Sequence, residues 1–143
     1  MLKGIPNILS PDLLKTLHEM GHGDEIVISD GNFPAANYAN RLIRCDGHNV
    51  PDLLEATLEL FPIDTFVDKP VTLMQVVDKQ KEPTPEIWQT YKAILSKHQV
   101  GKRQIGHEER FAFYERSKRA YAIIATTEQA LYANIILKKG VIS

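Results

Sequence analysis

Ser10-Pro11-Asp12-Leu13-Leu14-Lys15-Thr16-Leu17-His18-Glu19-Met20-Gly21-His22-Gly23-Asp24-Glu25-Ile26-Val27-Ile28-Ser29-Asp30 places a helix, a turn and a strand in immediate succession. Ser10 is suited to cap the helix, Pro11 to its first position and Asp12 to the positive end of its dipole. Leu13, Leu14, Leu17 and Met20 share one face, and Gly21 is expected to stop the helix. Glu25–Ser29 then reads as a short β-branched strand, the kind found in a sheet covered on both faces. A helix that gives way at once to an apolar strand is the unit of an α/β fold.

The same alternation continues outward. Gly31-Asn32-Phe33-Pro34 is a turn or loop, and residues 35–40 have no clear pattern. Arg41–Arg44 is a candidate strand. Asn49–Leu60 is a helix with Pro51 and Asp52 at its start and Leu53, Leu54 and Leu58 turned inward. Val71–Val77 is a strand, and Thr84-Pro85-Glu86 opens a helix that runs to about Lys97. Residues 108–119 allow two readings. Phe111-Ala112-Phe113-Tyr114 suits a strand, but Glu108 and Glu109 at the front, Lys118 and Arg119 at the back and the Glu115–Arg119 spacing favour a helix. Ala122–Thr126 and Tyr132–Leu137 are the last strands. The expected architecture is one α/β domain spanning residues 1–143, with a central sheet between two helical layers.

Composition narrows the function. The chain has 143 residues, 43% hydrophobic and 24% charged, with a formal net charge of -1 and a pI near 6.5. That balance offers phosphates nothing, which disfavours nucleic acid as a partner. The short clusters Lys138-Lys139 and Arg116, Lys118, Arg119 read as solvated ends of elements. A single cysteine, Cys45, excludes an internal disulfide and a cysteine-rich metal site, and it fits a reducing compartment. No apolar run reaches membrane-spanning length and no secretory leader is visible, so no membrane partner and a cytoplasmic location are expected.

His18-Glu19-Met20-Gly21-His22 matches the zinc-protease pattern H-E-x-x-H. That chemistry needs one unbroken helix through both histidines. Gly21 and Gly23 bracket His22, so the helix should end before it, and no metal is expected. His22 instead reads as a proton donor beyond a helix C-terminus or as a residue that fills a turn. Asp30, at the end of its strand, either binds neighbouring hydroxyls or forms an Asx-turn. Tyr132, Ala133 and Asn134 enter the last strand, where Tyr132 and Asn134 would face the same way, either for packing or for a sugar. Arg110 is either a ligand donor or a surface partner of the glutamates before it.

In colinear order, these segments resemble the L-fucose mutarotase family and its sibling, the D-ribose pyranases. The resemblance rests on Glu19-Met20-Gly21-His22-Gly23-Asp24-Glu25-Ile26, Ser29-Asp30, Phe33-Pro34, Arg44-Cys45-Asp46-Gly47 and Asp52-Leu53-Leu54. It continues through Arg110-Phe111-Ala112-Phe113-Tyr114-Glu115-Arg116, which matches the fucose branch in particular, and Tyr132-Ala133-Asn134-Ile135-Ile136-Leu137-Lys138-Lys139-Gly140-Val141. Residues 79–104 match least. The resemblance implies a three-layer α/β/α fold with a mixed sheet, a ring-like homo-oligomer (a decamer) and no cofactor. It also implies His22 as proton donor, with Asp30, Arg110 and Tyr132, Ala133 and Asn134 as the sugar-binding residues. His107 is a counterpart to a histidine of the ribose branch. The implied reaction is ring opening and reclosure of an aldose, L-fucose in preference to ribose or galactose. The alternative is a non-catalytic monosaccharide-binding accessory protein.

Overall fold

The computed structural model describes residues 1–143. Chain order is α1 (Pro11–Glu19), β1 (Glu25–Ser29), α2 (Ala35–Tyr38), β2 (Leu42–Cys45), α3 (Val50–Leu58), β3 (Val71–Met74), α4 (Ile87–Lys97), β4 (Ile105–Glu108), α5 (Arg110–Arg119), β5 (Ala122–Thr126) and β6 (Ile135–Lys138). A 3₁₀ turn, Lys102–Gln104, precedes β4.

The strands form one six-stranded sheet in the order β2-β5-β1-β6-β3-β4. β1 is parallel to β5 and β2 to β5, β3 is parallel to β4, and β6 runs antiparallel between β1 and β3. The sheet is therefore mixed. Alternation along the strands feeds two cores. Ile26, Ile28, Val71, Leu73, Ala122, Ile124, Ile135 and Leu137 pack with Leu13 and Leu17 of α1, Leu53 and Leu54 of α3, and Tyr91 and Leu95 of α4. Val27, Met74, Ile123, Ala125 and Ile136 face the other way, onto Ala35 of α2 and Phe113 of α5. This is the expected three-layer α/β/α arrangement. No helix is long and apolar enough to cross a membrane.

Several boundaries differ from the sequence reading, each for a local reason. α1 ends at Glu19 because Met20 is already extended and buried in the core, one residue before Gly21. The left-handed residue of this turn is Gly23, with φ of 89°. α4 begins at Ile87, and Thr84 makes no capping bond. β3 stops at Met74 rather than Val77, and residues 35–38 form a short helix. β4 was not foreseen. It is an edge strand whose Gly106, His107 and Glu108 give no apolar signal. α5 is a helix as favoured, and Glu109 caps it through the Ala112 amide at 3.1 Å. Glu115 pairs with Lys118 at 2.9 Å, not with Arg119. β6 starts at Ile135, because Tyr132 is left-handed at φ of 57° and cannot continue a strand.

Candidate active site

The candidate residues fall at opposite rims of the sheet. Asp30 follows β1 and Asn134 precedes β6, the antiparallel neighbour of β1. The Asp30 amide donates to Asn134 Oδ1 at 2.8 Å, which joins the two at one rim. β3 also ends there, opposite the start of β6, and carries β4 and Arg110 to the same side. His22 lies before β1, at the other rim. The neighbouring Gly23 amide donates to Lys139 O beyond the end of β6, and the Asp64 amide donates to Lys138 O. Asp30, Arg110, Tyr132, Ala133 and Asn134 therefore share a rim, and His22 does not. The five residues of β1 at ~3.3 Å each, beyond the turn at His22–Gly23, put His22 and Asp30 roughly 15 Å or more apart, farther than one sugar ring extends.

At the first rim, Asp30 Oδ1 accepts from the Asn32 amide at 3.0 Å, so the Asx-turn does form. Burial pushes the Asp30 carboxyl above the usual range. The amides of Asn32 and Phe33, the Asn134 side chain and the Ala133 amide pull against that rise. Asn134 Oδ1 accepts from the Asp30 amide, and the Asn134 side chain also favours the charged Asp30 carboxylate. The expectation that Tyr132 and Asn134 face the same way as strand neighbours does not apply, because Tyr132 lies outside the strand. Its hydroxyl accepts from the Val77 amide at 3.2 Å. Two aromatics of α4 hold this triplet: Trp88 Nε1 donates to Tyr132 O at 2.9 Å and Tyr91 donates to Ala133 O at 2.6 Å. Burial, with Glu128 and Asp30 nearby, pushes the Tyr91 phenol up, so it stays a neutral donor.

Arg110 is exposed and makes no ion pair. Of its two expected surface partners, Glu108 is held by Arg116 at 2.7 Å and Glu109 is engaged as the cap of α5. The Arg110 guanidinium lies 5.2 Å from the Phe111 ring and 5.5 Å from the Tyr114 ring. Arg110 lines a cleft of about 240 Å³ with Gln75, Val76, Val77, Glu109 and Phe111. An adjoining cleft of about 310 Å³ shares Gln75 and Val76 and adds Lys79, Glu82, Thr84, Trp88 and His107. Burial, then Lys92, Lys79 and Lys69, pushes His107 below the ordinary imidazole range. Asp30, Tyr132 and Asn134 line neither cleft.

At the second rim, His22 Nε2 lies 3.1 Å from Asp64 Oδ1, with the histidine side chain 41% exposed and the aspartate 4%. The Phe66 ring meets the imidazole edge-on at 5.1 Å. Sequence reasoning missed Asp64, because no spacing rule links it to a histidine 42 residues away. α1 ends before His22, so the H-E-x-x-H pair never shares a helical face. His18 is exposed on α1. Cys45 is a buried free thiol, raised by burial and then by Asp46, which suits packing rather than nucleophilic attack.

Residues 3–142 match the RbsD / FucU transport protein family. A fucose mutarotase of Mus musculus is 50% identical over 97% of this chain and 94% of its own length. The crystal structure of a Streptococcus pneumoniae fucose mutarotase in complex with L-fucose superimposes with a TM-score of 0.96 at 55% identity, covering 99% of this chain and 100% of that one. The structure of Bacillus subtilis RbsD complexed with D-ribose superimposes with a TM-score of 0.76 at 25% identity, each chain covered in full.

Proposed function

The chain belongs to the RbsD/FucU family, and from that premise we propose that it is an isomerase that interconverts the α and β anomers of L-fucose. The observation that carries this reading is the full-length likeness to a fucose mutarotase that holds L-fucose, at 55% identity. The more distant likeness to a D-ribose complex ranks ribose second.

The reaction needs little. A base takes the anomeric hydroxyl proton and an acid protonates the ring oxygen. The aldehyde then rotates and the ring closes on its other face. We assign the acid role to His22. Asp30 orients sugar hydroxyls, Arg110 supplies charged donors, and Tyr132 with Asn134 holds the ring. Ala133 contributes backbone at the same turn. The separation of the rims supports a site shared between chains, with His22 of one copy serving a sugar held at the Asp30 rim of the next. Exposed apolar residues flank both halves: Phe66 and Val67 beside His22, and Val77, Phe111 and Leu131 beside Arg110 and Tyr132. Two such unlike patches suit a head-to-tail contact that closes into a ring. A decamer is the assembly we expect. A reducing cytoplasm is the compartment we expect, since Cys45 is a free thiol.

Saturation-transfer NMR on L-fucose, D-ribose and D-galactose at anomeric equilibrium tests the function. Catalysed exchange that is fastest for fucose is the expected result. Binding without faster exchange would instead identify a sugar-binding accessory protein. Activity should also survive exhaustive chelation, and a stoichiometric metal lost together with activity would overturn the mechanism. Arg110→Ala should weaken fucose binding by about 1.5–3 kcal/mol, roughly 10- to 100-fold, with an unchanged fold. Its guanidinium has no ion pair to lose. Unaltered affinity by titration would remove Arg110 from the site.

A further inference from the structure

We propose that Trp88 and Tyr91 of α4 are positioning residues for Asp30: by holding the carbonyls of Tyr132 and Ala133, they aim the Ala133 amide and the Asn134 side chain at the aspartate that orients the sugar. The proposal rests on the assignment of Asp30 and Asn134 to the sugar site.

Two peptide units carry the effect. Trp88 Nε1 donates to Tyr132 O at 2.9 Å, and the Tyr91 hydroxyl donates to Ala133 O at 2.6 Å. The two donors are three residues apart on α4, so they stand on one face of the helix. A peptide is planar, and every one in this chain is trans, so its C=O and N–H point in opposite directions. The unit from Tyr132 to Ala133 has Trp88 at its oxygen and presents its N–H, the Ala133 amide, on the other side. That amide is among the groups that favour the charged Asp30 carboxylate. The next unit has Tyr91 at its oxygen and leads into Asn134, whose Oδ1 accepts from the Asp30 amide at 2.8 Å. The two bonds from α4 thus fix the contacts that reach Asp30 from this turn. They are needed because Tyr132 is left-handed at φ of 57°, a conformation that a bulky side chain keeps only where its surroundings hold it. Without them, either peptide is free to turn over and withdraw its contact. Tyr91 and Ala133 are each 0% exposed, so water does not replace the lost donor at the Ala133 oxygen. Tyr91 otherwise lies among apolar side chains of the larger core, and its hydroxyl makes only this bond.

The other titratable and charged groups around this corner are Tyr91 itself, Glu128 after β5, Glu82 before α4 and Arg110 on α5. Glu128 is occupied by the amides of Val50, Gln129 and Ala130. Tyr91→Phe removes one hydroxyl, and Trp88→Phe removes the indole N–H while leaving an aromatic ring. Neither changes a charge, since burial keeps the Tyr91 phenol neutral.

Carbon-13 NMR of the Asp30 carboxyl and saturation transfer on L-fucose read the two variants. In each, the Asp30 titration midpoint should rise, because fewer donors then oppose the effect of burial. The acid limb of kcat/KM should move to higher pH with it, and kcat/KM itself should fall by about 10- to 100-fold. A fall in kcat/KM with an unmoved midpoint would mean that the lost group touches the sugar directly. A moved midpoint with wild-type kcat/KM would mean that Asp30 needs no such aim. Either result overturns the proposal, as does a variant that only unfolds at lower urea concentration. The wild-type protein supplies a test that needs no variant. The Ala133 amide resonance should titrate with the Asp30 carboxyl, and an amide indifferent to it would overturn the proposal even if neither variant folds. Asp30→Ala separates the two levels of inference. If it keeps wild-type activity, the assignment of the sugar site fails. If it is dead while Trp88→Phe and Tyr91→Phe match the wild type, only the positioning role fails.

Discussion

His22→Ala and Asp30→Ala are each expected to abolish most of the catalysed exchange on their own and to restore about one quarter of it when mixed at equal amounts and reassembled. The single losses follow from the roles. An acid positioned on the ring oxygen contributes about 10²–10⁴-fold, and a sugar no longer oriented by Asp30 presents its ring oxygen badly. The recovery follows from the sheet. His22 precedes Glu25 and Asp30 follows Ser29, so the full length of β1 separates them. The bonds of Gly23 and Asp64 to the end of β6, and of Asp30 to Asn134 before its start, put them on opposite rims. A site shared by neighbours needs His22 from one copy and Asp30 from the next. In a random mixture, the first is an Asp30→Ala chain half the time, and the second is a His22→Ala chain half the time. Saturation transfer on L-fucose gives the rates, and native mass spectrometry checks that mixed oligomers form. Mixed oligomers without activity would mean that both residues act within one chain, and the shared site would be wrong.

Where the fold was legible, the signal was burial on both faces. Glu25–Ser29 and Ala122–Thr126 have the boundaries read from their β-branched runs, because each has an unbroken apolar interior buried on both faces, Ile26–Ile28 and Ala122–Ala125. Residues 105–108 escaped notice for the opposite reason. An edge strand can carry Gly106, His107 and Glu108, since half its surroundings are solvent or helix. Tyr132 misled because a left-handed backbone at a non-glycine residue is held by tertiary bonds, here donated by Trp88 and the Val77 amide, which leave no local trace. The same limit hid half of the pair at His22. His22 stands out locally between two glycines. Asp64 reaches it only because residues 63–64 add a bridge beside the end of β6. Arg110 was read against its sequence neighbours, but Glu108 is claimed by Arg116 from the next turn of α5.

That claim sets the second large effect. Arg116→Ala is expected to destabilise the fold by about 3 kcal/mol, a fall in Tm of roughly 10 °C. The Arg116 guanidinium lies between three elements. It bonds both oxygens of Glu25 at the start of β1, closest at 2.5 Å, Thr72 of β3 at 2.9 Å and Glu108 of β4 at 2.7 Å. Arg116 and Glu25 are each 17% exposed. The hydrogen bond to Glu25 raises the affinity of Arg116 for its proton further, so the guanidinium stays charged. Removing the cation strands two carboxylates at the sheet surface, and a partly buried charge without a partner costs far more than the pair contributes. Partial exposure keeps the loss near the low end of the range for buried pairs. Arg116→Lys should lie between, because an ammonium cannot reproduce the fork that holds Glu25. Arg116→Ala combined with Glu25→Gln and Glu108→Gln should recover much of the loss, since the orphaned charges go with their partner. Urea unfolding of these variants is the measurement. An alanine cost below about 1 kcal/mol would make the network an ordinary surface ion pair.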